Sequence, residues 1–489
     1  MTIHYKVLLK VVGILVMVTG LSMLPSFFVS VIYGDPTEII QSLFFSSVLP
    51  IVFGYTVFYA FKGYKQSLKL RDGFILLALC WLIASLVGSV PFIVSGAAAN
   101  PVNAFFESVS GFSTTGASVF NDVESLPRGI IFWRATTQWV GGIGILVLAV
   151  GLMPSLGISG QNVLSNELPN LSLGKISTKM PDVIKTLYIT YITFTIAEII
   201  ALKLAGLSVY DAVVHTFATV GTGGFTAYND GISHFNSTGV YLIIMVFMLL
   251  CGINFNLYFS AIKRGITHLV NDVEFRFYIL AIAIASVLIC GALLISGYSL
   301  NISKIAVESL FHTISIISTT GFTSADYMTW PIFCQAILLM LMFIGGCSSS
   351  TSGGVKAVRI LVIIRYINHG IRSRLHPNSV EPITINGNSV PSNTVSGVTY
   401  HVFLYILMLF AGTFIISIDN MGLETSFSAV ISCMGNIGPA LGSIGATCSY
   451  GDFSWLSKLV LCGSMLAGRL ELYTLFILFT PRFWRPDNS

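Results

Sequence analysis

Ser110-Gly111-Phe112-Ser113-Thr114-Thr115-Gly116-Ala117-Ser118 is the stretch on which the fold turns. Its Thr114-Thr115-Gly116 core returns three times in altered form, as Gly221-Thr222-Gly223, Thr319-Thr320-Gly321 and Asn436-Ile437-Gly438. Each copy follows a short amphiphilic segment and lies between long apolar runs. The short segments are Asn103–Ser113, Asp211–Val220, Ser303–Ser318 and Thr425–Gly435. None can cross a hydrocarbon core about 30 Å thick, which takes roughly 20 helical residues. Their flanking charges fall on one side of the membrane, so each must dip in as a half-helix and return as extended chain. Such backbone is tolerated at membrane depth only where protein shields it or it lines a water-filled cavity. Read singly, any one of these loops is an ordinary outer loop with a turn glycine. Four in register are what one polypeptide needs to enclose a single pore.

The rest of the chain is membrane sequence. Of 489 residues, 54% are hydrophobic and 9% charged, against about 25% charged in a soluble domain. Mean hydropathy is +0.83. Apolar runs predict spans near 8–32, 39–61, 73–96, 129–153, 186–206, 239–262, 277–297, 331–345, 398–418 and 455–479. The run that starts at Lys6 is too long for a signal peptide, and no small-residue cleavage site follows it. With both termini placed in the cytoplasm, most Lys and Arg fall in inner loops, which satisfies the positive-inside bias. Outer loops are acidic, with Asp122, Glu124, Asp211, Asp230 and Asp326 among them, and would enrich cations near a pore mouth. The net charge of +4 follows from this bias and calls for no nucleic acid. Eight scattered cysteines without a C-x-x-C pair argue against a disulfide framework or a zinc site.

These elements predict an all-α polytopic membrane protein. An N-terminal transmembrane hairpin (1–66) precedes four pseudo-symmetric helix–pore-helix–helix repeats around one central pore, at 73–153, 183–263, 274–368 and 395–481. A dehydrated cation needs a cage of oxygens, and rings of backbone carbonyls supply one in selectivity filters. Turning successive carbonyls inward needs φ values that glycine reaches without penalty. Gly116, Gly223, Gly321 and Gly438 stand at that place. The threonines at 114, 115, 222, 319 and 320 add hydroxyls. The half-helices would aim their partially negative C-terminal ends at the ion.

The segments SGFSTTGAS (110–118), ATVGTGGF (218–225), SIISTTGF (315–322) and MGNIGP (434–439) resemble the four filter loops of the Trk/Ktr/HKT superfamily of cation transporters. FIGGCSSSTSGGVKAVRI (343–360), AGRLELYTL (467–475) and LFTPRFWR (478–485) resemble its bacterial Trk potassium-uptake branch. The resemblance covers nearly the whole chain. It implies that Thr114-Thr115, Gly221-Thr222, Thr319-Thr320 and Asn436-Ile437, each with its following glycine, line a filter for K+, the transported ion. Relatives with serine at the first-repeat glycine tend towards sodium, so Gly116 implies potassium. The fourth loop departs most from Thr-Thr-Gly, and an asymmetric filter is expected to select less sharply than four identical loops. The resemblance further implies a homodimer with one pore per subunit, in the lipid of a bacterial inner membrane. It also implies a cytosolic nucleotide-binding regulatory subunit of the TrkA type. No nucleotide site is visible on this chain, and inner loops 154–185 and 263–276, with the basic stretch to Arg374, offer that subunit a docking surface.

The third repeat is interrupted by Gly345-Gly346-Cys347-Ser348-Ser349-Ser350-Thr351-Ser352-Gly353-Gly354. Glycine and serine both weaken helices. The pattern predicts a helix, a loop over 345–354, and a second helix from about Val355 to Asn368. The loop, with Lys356 just beyond it, reads as a gate below the filter; a close-packed small-residue helix interface is the alternative. A phosphate-binding loop is excluded, because the G-x-x-x-x-G-K-[ST] spacing is absent. Arg469 falls in mid-span, where a charge is costly and marks function by default. There it would raise the barrier to cations or hold the loop shut; an ion pair with Glu471 or Glu198 is the plainer reading. Arg134 and Gln138 lie one turn apart and are placed to brace the filter from behind. His215 and His312 in the half-helices read as packing residues. A polytopic enzyme is disfavoured, since H-E-x-x-H and G-x-S-x-G are both absent. A channel, a proton- or sodium-coupled symporter and a non-conducting potassium sensor all remain compatible with the sequence.

Overall fold

Two long helices open the chain, α1 (Tyr5–Tyr33) and α2 (Thr37–Ala60). Gly34 closes α1 in the left-handed conformation, φ 69°, and Pro36 precedes α2. The pair is joined by small residues: a Cβ on Gly20 would lie 2.7 Å from the Ser47 carbonyl, and one on Gly54 2.6 Å from the Met17 nitrogen. Small residues let membrane helices approach this closely. The computed structural model describes residues 4–64, 70–144, 180–299, 301–377, 382–446, 448–470 and 472–484. The inner loop at 154–179, the fourth span beyond 144, Glu471 and Arg485 lie outside them.

Four units follow. The first holds α3 (Leu70–Val94), α4 (Pro101–Phe112) and α5 (Arg128–Ile143). The second holds α6 (Met180–Leu204), α7 (Val209–Val220), α8 (Thr238–Cys251) and α9 (Phe255–Arg264). The third holds α10 (Val273–Ile295), α11 (Ile302–Ile317), α12 (Ile332–Ile344) and α13 (Ala357–Leu375). The fourth holds α14 (Ser392–Ile416), α15 (Leu423–Gly435), α16 (Trp455–Leu470) and α17 (Leu472–Phe479). Among the described residues, α1, α2, α3, α6, α10 and α14 carry the long apolar stretches needed to cross a membrane. Their outward faces carry exposed apolar side chains such as Phe28, Phe53, Val287 and Phe414, the surface that lipid covers.

The half-helices α4, α7, α11 and α15 form where the sequence placed them. Three start on a side-chain cap that accepts a backbone N–H: Asn100 from Asn103, Ser208 from Asp211, and Asn301 from Ser303 and Lys304. Asn and Ser serve here because their short side chains reach the unpaired donors of the first turn. The fourth starts after Gly422 without such a cap. One buried core joins all four units, with Phe106 and Val109 meeting Ala218, Met248, Ile316, Ile317, Met434 and Met465.

Two expectations need correction. The span at 239–262 is not one helix: α8 and α9 meet at 86°. Asn254 starts α9 by capping the Asn256 amide. The backbone groups freed at the break find partners in the third repeat, where the Gly252 carbonyl accepts from Cys347 and the Phe255 amide donates to Ser349 O. The second helix of the broken span also differs, running over Ala357–Leu375 rather than 355–368. It starts late because Lys356 takes φ 76°, so the intervening loop spans 345–356.

A short hairpin, Thr384–Ile385 with Asn388–Ser389, turns on Asn386 and Gly387, both at positive φ, as tight two-residue hairpin turns require. The Asn386 side chain accepts from the Val273 amide and donates to Asp272, tying this hairpin to the start of α10.

Candidate functional site: a four-loop ring and the loop beneath it

All four half-helices end alike. Thr114, Thr222, Thr319 and Asn436 follow the helix in the left-handed conformation, at φ 56°, 53°, 59° and 53°. Their amides bond back three residues, to Gly111, Thr219, Ile316 and Cys433. The next amides, of Thr115, Gly223, Thr320 and Ile437, bond back five residues, to Ser110, Ala218, Ser315 and Ser432, at 2.8–3.0 Å. This is the Schellman ending, which normally puts glycine at the left-handed residue. A β-branched residue there is an outlier and costs about 1–3 kcal/mol. Three of the four copies nevertheless use threonine. Two residues on, a glycine again takes positive φ: Gly116, Gly224, Gly321 and Gly438.

This geometry corrects the register of the second copy. Its equivalent triplet is Thr222-Gly223-Gly224, so Gly224 rather than Gly223 matches Gly116. Gly221 instead occupies the helix-end place of Ser113, Ser318 and Gly435. Two adjacent glycines made either register readable in the sequence, and only the backbone distinguishes them.

The loops close on one another. A side chain on Gly116 would strike the Gly223 carbonyl oxygen, and one on Gly224 that of Thr320. Gly321 stands in the same relation to Ile437, and Gly438 to Thr115. The contact passes from the first loop to the fourth and back to the first, so the ring is complete and in chain order. Above it opens a cavity lined by all four positive-φ glycines, with Arg134 and Tyr228 in its wall. Below it lies a second cavity.

Different side chains hold the loops in place. In the first and third, a hydroxyl pair joins the helix end to the middle residue of the triplet: Ser113 with Thr115 at 2.7 Å, and Ser318 with Thr320 at 2.9 Å. The second has glycine at both places, and Gln138 of α5 reaches it instead. Its Nε2 donates to Gly223 O at 2.7 Å and its Oε1 accepts from Phe225 N at 3.0 Å. In the fourth, Asn436 donates to the Thr115 hydroxyl and to Met465 O, both at 3.0 Å. Arg134, buried on α5, pairs with buried Glu107 at 2.7 Å and donates to Thr226 O and Ser118. His312 contacts the Glu308 and Ala325 carbonyls through its two ring nitrogens. His215 contacts the Asp211 carbonyl and stacks near Tyr228.

The 345–356 loop sits directly beneath the ring. Its Ser352 hydroxyl donates to Ser318 O, and its Gly353 amide donates to the Thr319 hydroxyl, at 2.7 and 2.8 Å. A Cβ on Gly353 would lie 2.5 Å from the Gly435 carbonyl. The loop is pinched at its base, since a Cβ on Gly345 would come within 2.6 Å of Gly353 O. Gly346 accepts from the Ala357 amide. Buried Glu274 of α10 holds Ser348 at both amide and hydroxyl, at 2.6 and 2.8 Å. Arg469 donates to Thr351 O at 2.7 Å and to Gly141 O at 2.8 Å, linking the loop to α5. Ser349, Ser350, Thr351, Gly354, Lys356 and Arg469 all line the lower cavity. The plainer reading of Arg469 fails on one side: among the described residues, no hydrogen bond or ion pair joins it to Glu198. Glu471 lies outside the described residues.

The sequence-predicted residues therefore converge on one axis, and the structure adds Gly224, Glu274, Ser113 and Ser318. Glu274 carried a signal, being an acid at the inner end of an apolar span. The two serines were readable as the common residue before both Thr-Thr-Gly triplets.

Comparison with known proteins agrees with this architecture. Residues 39–485 match the TrkH family, described as a cation transport protein. The Trk system potassium uptake protein TrkH of Halomonas elongata is 35% identical, over 98% of this chain and 99% of its own. The Trk system potassium uptake protein TrkG of Escherichia coli (strain K12) is also 35% identical, over 99% of each. The crystal structure of the potassium transporter TrkH from Vibrio parahaemolyticus superposes with a TM-score of 0.88 at 32% identity, covering 99% of this chain and 100% of that one. The chain belongs to the TrkH family of cation transport proteins, a multi-pass membrane transport family and not an enzyme family.

Proposed function

We propose that the chain is a potassium uptake protein, in which the four-loop ring selects the ion and the 345–356 loop gates it. The observation that carries this reading is the closed, chain-ordered ring, in which each triplet sets its glycine against the next one's carbonyl. Carbonyls of Thr114-Thr115-Gly116, Thr222-Gly223-Gly224, Thr319-Thr320-Gly321 and Asn436-Ile437-Gly438 replace the water around K+. Four half-helix C-termini favour a cation at the centre. The membrane potential, worth about 2.3 kcal/mol per charge per 100 mV, drives uptake without further coupling. The loop bars the way below: it touches the ring through Ser352 and Gly353, and Arg469 sets a positive charge beside it.

The setting is a bacterial inner membrane with both termini cytoplasmic. Two copies assemble as a homodimer with one pore each. A cytosolic nucleotide-binding subunit of the TrkA type acts on the loop from the inner face. The relatives' membership of a Trk system supports such a partner.

The test is rubidium or potassium flux into proteoliposomes holding the purified chain, with sodium as competitor and an imposed voltage. Voltage-driven flux that prefers potassium and needs no proton gradient is the expected result. Flux that appears only on adding the cytosolic partner would make it a partner-gated pore. A strict requirement for a proton or sodium gradient would make it a symporter, and no flux in either state would leave a sensor.

A further inference from the structure

The second loop's own side chains supply one bond, from the Thr222 hydroxyl to the Gly221 carbonyl, and none to its Gly223 carbonyl. Its helix-end and middle residues are Gly221 and Gly223, where the first and third loops carry the bonded pairs Ser113–Thr115 and Ser318–Thr320. We propose that Gln138 is a positioning residue that sets ion selectivity, by supplying from the first repeat the support that the second loop lacks. This rests on the reading that the ring is the ion path.

Three observations carry it. Gln138 is fully buried, and its carboxamide occupies the space of the absent side chain, since a Cβ on Gly223 would lie 2.7 Å from Gln138 Cγ and Nε2. It binds at two points, Gly223 O and Phe225 N, which straddle Gly224, the glycine at φ 78°. A donor end faces a carbonyl and an acceptor end faces an N–H, so the backbone itself fixes the orientation of the amide. Third, the bond singles out one member of a carbonyl set. Thr115, Gly223, Thr320 and Ile437 hold equivalent places, and among the described residues only the Gly223 carbonyl accepts a hydrogen bond.

Selectivity follows from those bonds. A carbonyl that already accepts an N–H offers a cation a weaker field. Potassium over sodium depends on the number and field strength of such dipoles and on the size of the cage. Losing the donor frees the Gly223 carbonyl and loosens the loop. A stronger field and a cage free to contract both favour the smaller ion.

The experiment compares Gln138→Met, of similar length without hydrogen bonding, with Gln138→Glu, whose carboxyl, neutral in this buried site, donates its O–H to Gly223 O and accepts from Phe225 N. Both are read in the full-length protein in proteoliposomes by the rubidium-to-sodium permeability ratio, and by half-saturating rubidium separately from maximal flux. Loss of one hydrogen bond predicts a drop of about fivefold in the ratio for Gln138→Met, with flux retained. Gln138→Glu, which keeps both bonds, should stay close to the parent ratio. An unchanged ratio in inserted, folded Gln138→Met overturns the proposal, as does a ratio in Gln138→Glu as low as that of Gln138→Met, or a fall in maximal flux with the ratio and half-saturation intact. Gly321→Ser is the control on the underlying reading. If it shifts the ratio and the Gln138 variants do not, only this inference fails; if it too leaves the ratio unchanged, the ring is not the filter and both fail.

Discussion

The first and third repeats put different chemistry at the same two places. Glu107 and His312 each lie six residues before the helix-end serine. Arg134 follows Ile131-Phe132-Trp133 as Gln335 follows Ile332-Phe333-Cys334. In the first repeat the two places form a buried ion pair at 2.7 Å, with Glu107 also accepting from the Val119 amide. In the third there is no such pair: His312 lies against two carbonyls, and Gln335 donates to Met328 O and Trp330 O. The backbone after the half-helix is the same in both. The ion pair is therefore not what the loop shape requires. A buried pair adds little net stability over a neutral arrangement, yet removing one member strands a charge.

That difference predicts the largest effect. Arg134→Met leaves Glu107 buried and uncompensated, at a cost of about 3–5 kcal/mol, seen as a lower melting temperature of the purified protein. Gln335→Met, at the matching place, removes only neutral bonds and should cost about 1–3 kcal/mol. Equal losses at the two sites would break the comparison and make the pair no different from its neutral counterpart.

The next effect separates two neighbouring glycines. Gly224→Ala forces an L-residue to φ 78° and into the Thr320 carbonyl, with strain of about 1–3 kcal/mol before the collision is counted. Rubidium flux should be lost, as with Gly116→Ser. Gly223→Ala meets the Gln138 side chain rather than backbone, and should keep more of the flux while disturbing the Gln138 bonds. The reverse ranking would restore the register Gly221-Thr222-Gly223.

What the sequence revealed and what it hid divide along physical lines. The half-helices were legible because each signal is local: Asn100, Ser208 and Asn301 mark starts, and flanking acids mark the side of the membrane. The second-loop register was not, because Gly223 and Gly224 are both free to take either conformation until Gln138 arrives from another repeat. Nor was the 86° break between α8 and α9. Residues 239–251 are uniformly apolar, and what makes the break tolerable is a set of partners a hundred residues away, Cys347, Ser349 and Thr351. Gly252, Asn254 and Asn256, just past that run, were the local clues. The two residues holding the 345–356 loop were not equal either. Arg469 stood out by its cost in mid-span, whereas Glu274 resembled an ordinary acid at a helix start until Ser348 was found on it.

Those two anchors give the third prediction. Arg469→Ala releases Thr351 and removes a positive charge from beneath the ring, so basal flux should rise severalfold. Glu274→Ala releases the other shoulder at Ser348 without removing a positive charge, and should raise flux less. Shortening the 345–354 stretch by several residues should likewise raise basal flux. If it abolishes flux in well-inserted protein, the loop is a scaffold rather than a gate, and no change in Arg469→Ala returns that residue to a packing role.

The smallest effect lies at the outer rim, where a side chain clasps the first two repeats while a backbone bond, Ile232 N to Thr323 O, joins the second to the third. Asn229 donates to Asp122 at 2.8 Å and accepts from the Val123 amide, also at 2.8 Å, so one side chain bridges the outer loops of both repeats. Asp326 in the third repeat instead bonds within its own turn, to Met328. The hydrogen bond from Asn229 holds the Asp122 carboxyl below its ordinary value of 3.8. A depressed folded-state value means that the contribution is complete above the unfolded value and drains away as pH falls through the folded one. Acidification below about pH 4 should therefore loosen the clasp, and Asp122→Asn should lessen the acid sensitivity of the melting temperature slightly while leaving flux at neutral pH unchanged. Asp122 is fully exposed, and solvent screening keeps such a bond weak. An acid response identical in the variant would assign that sensitivity to other carboxylates, Glu124 among them, which accepts from the Asn229 amide in the same clasp.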